Sequence, residues 1–173
     1  MKTVNVHDIR SVIQQLATAF DALKTIGLIH ADLKLNNVMV VDSEAQPLRV
    51  KFIDFGLAVL TSSVKQGKCH QIPFRAPEIA LGLPFSEAID MWSLGVVIAR
   101  MVLGEPIFPG RGEYNAVWGT VKLPGVPPAH LLSAGMYSRC HFVEMPFGCW
   151  RLKFPLNRLR WKLMKRWSAF ITC

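Results

Sequence analysis

Paired cysteine, long apolar runs and acidic side chains are what this sequence has least of. Its four cysteines, Cys69, Cys140, Cys149 and Cys173, form no C-x-x-C and no His/Cys spacing suited to zinc. That excludes a disulfide scaffold and fits an intracellular chain with reduced thiols. The first ten residues, MKTVNVHDIR, contain no apolar signal-peptide core. The longest apolar run, Ile89 to Leu103, is interrupted by Asp90 and Arg100 and is too short to span a bilayer. There is no internal repeat and no low-complexity tract, and 51% hydrophobic residues exclude a disordered tail. Twelve acids face twenty Lys and Arg, a net charge of +8. From Glu144 onward there are seven bases and one acid, +6, which leaves +2 for the preceding 143 residues. The basic character is therefore local, and no specific nucleic-acid binding is expected of the core.

What is present is mostly helical pattern. Ile9, Val12, Ile13, Leu16, Phe20 and Leu23 recur at three- and four-residue spacing and predict an amphipathic helix over Val6 to Ile26. Asn5 is its N-cap, and Gly27 its stop. His30 to Asn37 reads as a loop. Val38 to Val41 and Val50 to Ile53 are strand-like, with Asp42, Ser43 and Pro47 supplying turn chemistry between them. Gly56 to Pro77 has no periodicity and reads as a long loop. Pro77 to Gly82 predicts a short helix. Ser86 to Leu103 predicts a long one, capped by Ser86, with Met91, Leu94, Val97, Ile98, Met101 and Val102 as its apolar surface. Tyr114 to Val121 predicts another short helix.

The tail from Glu144 to Cys173 interleaves Trp150, Trp161 and Trp167 with Arg151, Lys153, Arg158, Arg160, Lys162, Lys165 and Arg166. Such a segment could touch an anionic membrane surface or nucleic acid. Pro146 and Pro155 interrupt it, its spacing over the whole tail is irregular, and a solvated end is the plainer reading.

Leu28 to Ala58, LIHADLKLNNVMVVDSEAQPLRVKFIDFGLA, concentrates the chemistry. It holds Asp32, Lys34 and Asn37 in DLKLNN and, after the two strand-like runs, Asp54-Phe55-Gly56. A hairpin over those runs would bring Asn37, before the first strand, close to Asp54, after the second. Phosphoryl transfer requires an acid near the hydroxyl, a cation near the transferred group and oxygen ligands for Mg²⁺. Asp32 would accept the hydroxyl proton, Lys34 would lie near the γ-phosphate, and Asn37 and Asp54 would offer oxygens to the metal. Ala76-Pro77-Glu78 and Asp90-Met91-Trp92-Ser93-Leu94-Gly95 follow in order.

The four segments together resemble a eukaryotic protein kinase. HADLK, QPLRVK, RAPEIALGLPF, EAIDMWSLG and HLLSAG narrow the resemblance, over about Val6 to Phe142, to the homeodomain-interacting protein kinases. These are dual-specificity enzymes acting mainly on Ser/Thr. The resemblance implies ATP and Mg²⁺ as cofactors and protein substrates or full-length kinases as partners. It implies an intracellular location, the nucleus by family or else the cytoplasm. It also implies that Met39 lies under the adenine ring, that Gly56 completes the metal-binding turn, and that Arg75 organises the loop before Ala76-Pro77-Glu78. Glu78 would be a structural acid there, and Asp90 would hold the catalytic-loop backbone.

The sequence departs from the family pattern in four places. No G-x-G-x-x-G and no strand lysine stands among the residues before His30. Gly56 to Glu78 contains no tyrosine, alignment places Lys68 where the family has its phosphorylated one, and Gln71 to Phe74 fills the substrate-pocket segment. Arg75 is thereby left without its usual phosphate partner. Leu35-Asn36 replaces the usual Pro-Glu. The late helices that supply an arginine to Glu78 are not recognisable, leaving Arg151, Arg158 or Arg160 as substitutes. The expected fold is mainly α, a kinase-like C-terminal lobe with one small β-hairpin and no N-terminal lobe. Residues 1–143 would form this partial kinase domain and 144–173 a basic, Trp-rich tail outside it. Two functions follow: a kinase by family that is inactive as this chain alone, or a pseudokinase-like binding module or truncated product.

Overall fold

The structure is a computed structural model and describes residues 5–42, 44–64, 75–108 and 112–153. Lys68, Gln71 to Phe74 and every tail residue after Lys153 lie outside the described residues.

Helix α1, Val6–Thr25, is the first element. Asn5 caps it, its side-chain oxygen accepting the His7 N–H at 3.1 Å. Asp8 in the first turn and Lys24 in the last suit the helix dipole. Ile9, Val12, Leu16 and Phe20 form the buried stripe. Gly27, with φ 68°, turns the chain into strand β1, Leu28–Ile29. A loop and a single 3₁₀ turn, Leu35–Asn37, lead to β2, Val38–Asp42, and β3, Gln46–Phe52. These two pair antiparallel, with Val38 opposite Phe52 and Val40 opposite Val50. The Asp42 carboxylate closes their turn by accepting the Glu44 and Ala45 amides, each at 2.9 Å. Gln15 ties the hairpin to α1. Its amide nitrogen donates to the Leu48 carbonyl at 2.8 Å, and its oxygen accepts the Val50 N–H at 3.1 Å.

The expectation of one hairpin is corrected to three two-stranded sheets among the described residues. The loop after Gly56 contains strand β4, Val59–Leu60, which pairs antiparallel with β1. A two-residue strand has no period to read, and its partner lies thirty residues away. The pairing is continued by the Thr61 N–H to the Gly27 carbonyl at 2.8 Å.

Helix α2, Pro77–Leu81, ends on Gly82 in a left-handed cap, φ 71°. Helix α3, Ala88–Leu103, starts two residues later than expected, and Ser86 Oγ receives the Ala88 N–H at 3.4 Å. Its surface also differs from expectation. Leu94 and Val97 are buried, but Met91 is 52% and Val102 60% exposed, while the polar Asp90 and Ser93 point inward. Helices α4, Glu113–Lys122, α5, Ala129–Ala134, and α6, Ser138–His141, follow. Strands β5, Phe142–Glu144, and β6, Trp150–Leu152, form the third pair, with Glu144 opposite Trp150. The boundary drawn after residue 143 therefore falls inside a hairpin whose Trp150 and Leu152 pack on the core.

Three apolar clusters hold these elements. Val12, Leu16 and Phe20 of α1 meet Leu33 of the loop and Leu94 and Val97 of α3. Ile29 and Ala31 meet Ala76, Ile79 and Ile89. Leu81 and Leu83 meet Val117, Leu132 and Phe142. The loop 30–37 is thus gripped from below by two clusters. No helix among the described residues is long and apolar enough to cross a membrane.

Candidate active site

The loop after β1 is fixed by a carboxylate from a distant helix. Asp90, 3% exposed in the first turn of α3, receives the His30 N–H on Oδ2 at 2.8 Å and the Ala31 N–H on Oδ1 at 2.9 Å. Burial pushes the Asp90 carboxyl above its usual value, and the Ala31 and His30 amides pull it back. Hydrogen bonds to a charged acceptor contribute about 1.5–3 kcal/mol each. They hold Ala31 at φ 66°, a left-handed conformation that a side chain disfavours.

His30 was given no role by the sequence, although it heads the HADLK segment. It is fully buried, its Nδ1 accepts the Asp32 N–H at 3.3 Å, and its ring lies 4.7 Å from that of Phe55 and 5.2 Å from that of Phe52. The loop and the Asp54-Phe55-Gly56 turn therefore share an aromatic contact.

Asp32 is 8% exposed and is the centre of a polar trio. Its Oδ2 receives Lys34 Nζ at 2.8 Å and Asn37 Nδ2 at 3.0 Å. Asn37 Nδ2 also donates to the Asp32 carbonyl at 2.9 Å. The 3₁₀ turn Leu35–Asn37 makes this possible, because it folds the amide back over the aspartate five residues earlier. No described residue donates to Asp32 Oδ1, which leaves that oxygen with unused acceptor capacity.

Asp54 comes to the same place by the hairpin. The Ile53 N–H donates to the Asn37 carbonyl at 3.0 Å, so Asp54 directly follows a residue bonded to Asn37. It is exposed, has φ 64°, and its Oδ1 receives the Gly56 N–H at 3.2 Å. Aspartate tolerates this left-handed region better than most residues. A β-carbon at Gly56 would stand 3.1 Å from that same Oδ1, so a larger residue would press on the carboxylate. Met39 sits on β2, 41% exposed.

The donor set fits magnesium. An amide oxygen from Asn37 and a carboxylate from Asp54 are hard oxygen ligands, and Mg²⁺ is usually held by one or two carboxylates plus phosphate oxygens. No group of three or more His, Cys, Asp or Glu able to hold a metal occurs among the described residues.

The other singled-out residues lie outside this trio. Arg75 Nη1 meets Glu113 Oε1 of α4 at 2.6 Å, with the arginine side chain 8% exposed. Arg75 is thus joined to a carboxylate of α4. Glu78 lies half-buried in the first turn of α2. Of its candidate arginines, only Arg151 falls among the described residues.

The protein kinase domain family matches residues 1–124. The chain belongs to the protein kinase family. The described residues are mainly helical with a few small sheets. The chain is similar to homeodomain-interacting protein kinase 2 of Mus musculus, 51% identical over 154 residues, covering 85% of this chain and 13% of the relative. Homeodomain-interacting protein kinase 1 of Caenorhabditis elegans is 47% identical over 138 residues, 79% of this chain and 16% of the relative. Homeodomain-interacting protein kinase 4 of Homo sapiens is 45% identical over 158 residues, 87% of this chain and 26% of the relative. The kinase chain thus spans between 13% and 26% of the length of these relatives.

Proposed function

We propose that these residues are the C-terminal lobe of a Ser/Thr kinase with dual specificity, carrying the proton-accepting and metal-binding half of an ATP site. The observation that carries this reading is the convergence of Lys34 and Asn37 on one oxygen of Asp32, with Asp54 joined to Asn37 through the hairpin. Asp32 Oδ1 would take the proton of a protein hydroxyl. Lys34, drawn off Asp32 Oδ2, would face the transferred phosphoryl group. Asn37 and Asp54 would hold Mg²⁺, which neutralises phosphate oxygens when bound with ATP. Met39 would lie beneath the adenine. Protein substrates or full-length kinases are its partners, inside the cell.

These 173 residues alone are expected to transfer no phosphate, because no glycine-rich loop or strand lysine is among them. Purified chain incubated with Mg-ATP and a basic protein substrate tests this; turnover that Asp54→Ala abolishes would show the half-site to be self-sufficient. The same absence predicts weak nucleotide binding, so Mg-ATP should leave the melting temperature unchanged. A shift of several degrees contradicts it.

A second reading is a non-catalytic binding module. The exposed Val40, Val41 and Leu48 on the hairpin, with Phe55, Leu57 and Leu60 beside it, favour it.

A further inference from the structure

The β5–β6 hairpin is rooted in the core and ends in water. At its base Phe142 is buried, and Trp150 and Leu152 pack on the cluster around Leu81 and Leu132. The Lys153 N–H donates to the His141 carbonyl at 2.8 Å, and the Tyr114 hydroxyl donates to the Lys153 carbonyl at 2.7 Å. The Met145 N–H closes the neck on the Cys149 carbonyl at 2.7 Å. Met145 to Cys149, MPFGC, are five consecutive exposed residues without a charge. Phe147 is wholly exposed, more so than any other large apolar side chain among the described residues. Its backbone is left-handed, φ 65° and ψ 24°, and Gly148 follows at φ 73°. A hairpin that turns through two left-handed residues ordinarily takes Asn-Gly there. Phenylalanine is disfavoured once by that backbone and again by leaving its ring in water. Neither cost serves the fold, because a wholly exposed ring contributes no packing.

We propose that the Met145–Cys149 tip inserts into the interfacial layer of an anionic membrane, with Phe147 as its anchor. Charge selects this partner. From Ser138 to Lys153 the bases are Arg139, Arg151 and Lys153 and the one acid is Glu144, a net +2 with His141 neutral. All three bases are exposed. Lys153 Nζ rests on the Arg139 carbonyl at 2.6 Å, which brings two of them together at the foot of the hairpin. Arg151 stands on β6 opposite Val143. Glu144 is matched by Arg139, whose Nη2 lies 2.9 Å from its Oε2. Arg151 is three residues after Gly148, about 10 Å along an extended chain. An interfacial segment sinks about 5–10 Å into the boundary between headgroups and acyl chains. The tip therefore meets the acyl chains while the basic collar stays level with the anionic headgroups that attract Lys and Arg. Shape selects the same partner. A stable protein interface buries about 800 Å² on each side, whereas this convex turn offers two large apolar side chains, Met145 and Phe147. A bilayer needs no complementary pocket. Nucleic acid would stack on Phe147 but has no use for the Met145 and Pro146 beside it.

Co-sedimentation of the full chain with lipid vesicles at low salt tests this. Vesicles containing phosphatidylserine should bind the chain at least about tenfold better than vesicles of phosphatidylcholine alone. Phe147→Asn should weaken binding to the anionic vesicles at least about fivefold, since the buried ring is what holds the tip. The same variant should raise the melting temperature, because asparagine accepts the left-handed backbone, so that lost binding does not reflect lost folding. A fall in melting temperature would give the ring a structural role and overturn the proposal. Arg139→Gln with Arg151→Gln should weaken anionic binding by a similar factor and leave binding to neutral vesicles as it is. Failure of the unmodified chain to bind anionic vesicles overturns the proposal. So does Phe147→Asn binding as tightly as the unmodified chain, which would assign the contact to other basic residues. Single-stranded RNA bound with the same dependence on Phe147 overturns lipid as the partner.

Discussion

The two arms of the candidate site, residues 30–37 and 53–60, are held in different ways. The first is buried, its backbone bonded to Asp90 and its side chains to one another. The second leaves Asp54, Phe55, Leu57 and Leu60 exposed, and it is held by one backbone bond to Asn37, the Phe55–His30 contact and the short β1–β4 pairing. The Asp32 arm is preorganised within this fold. The Asp54 arm has less to hold it and would gain most from a ligand or a covering partner.

Asp90→Ala should have the largest effect on this contrast. It strips two buried amides of their acceptor and should lower stability by about 3 kcal/mol, read as a fall in the urea midpoint at constant slope. A loss below about 1 kcal/mol would mean the first arm does not depend on α3. Asp32→Asn keeps an oxygen for Asn37 but removes the charge that Lys34 faces, and should cost about 1 kcal/mol in the same titration. Acid should act on the hairpin between the arms. The Ala45 amide, then that of Glu44, holds the Asp42 carboxyl below its ordinary 3.8. A depressed folded value gives a contribution complete above pH 3.8 that fades as pH falls through that folded value. Amide exchange in β2 and β3 should therefore quicken on acidification, and Asp42→Asn should remove that dependence. Asp90 has the opposite sign: burial raises it, so its contribution is full below pH 3.8 and is lost as pH rises through the folded value. Acid that loosened the 30–37 amides before the hairpin would reverse the ordering. Asp54→Asn should be mildest, within about 0.5 kcal/mol, because asparagine accepts the left-handed backbone and the site is exposed. A cost equal to that of Asp32→Asn would erase the difference between the arms.

Local features were legible in the sequence. The period of Ile9 to Leu23 gives α1 to within a residue, Asn5 caps it, and the alternation of turn and β-branched residues gives the β2–β3 hairpin. Long-range partners were not. Nothing local announces that Val59 pairs with Ile29, that Glu113 meets Arg75, or that Gln15 reaches β3. The same limit governs α3. Its wide apolar surface is legible, but which side is covered depends on where α1 packs, so the sequence does not separate the exposed Met91 and Val102 from the buried Leu94 and Val97. His30 was missed because its role is a ring contact with Phe52 and Phe55, made only after the hairpin folds.

The Gln15 bridge has a consequence for how the molecule behaves in company. Among the described residues strand β3 pairs with β2 along one side only, so its other side is an edge to which a foreign strand could add. One glutamine side chain occupies both a donor and an acceptor of that edge, the Val50 N–H and the Leu48 carbonyl. It imitates the peptide group of an invading strand and so denies it a foothold. On a hairpin that already shows Val40, Val41 and Leu48 to solvent, this single amide leaves those two backbone groups of the edge with nothing to offer another chain.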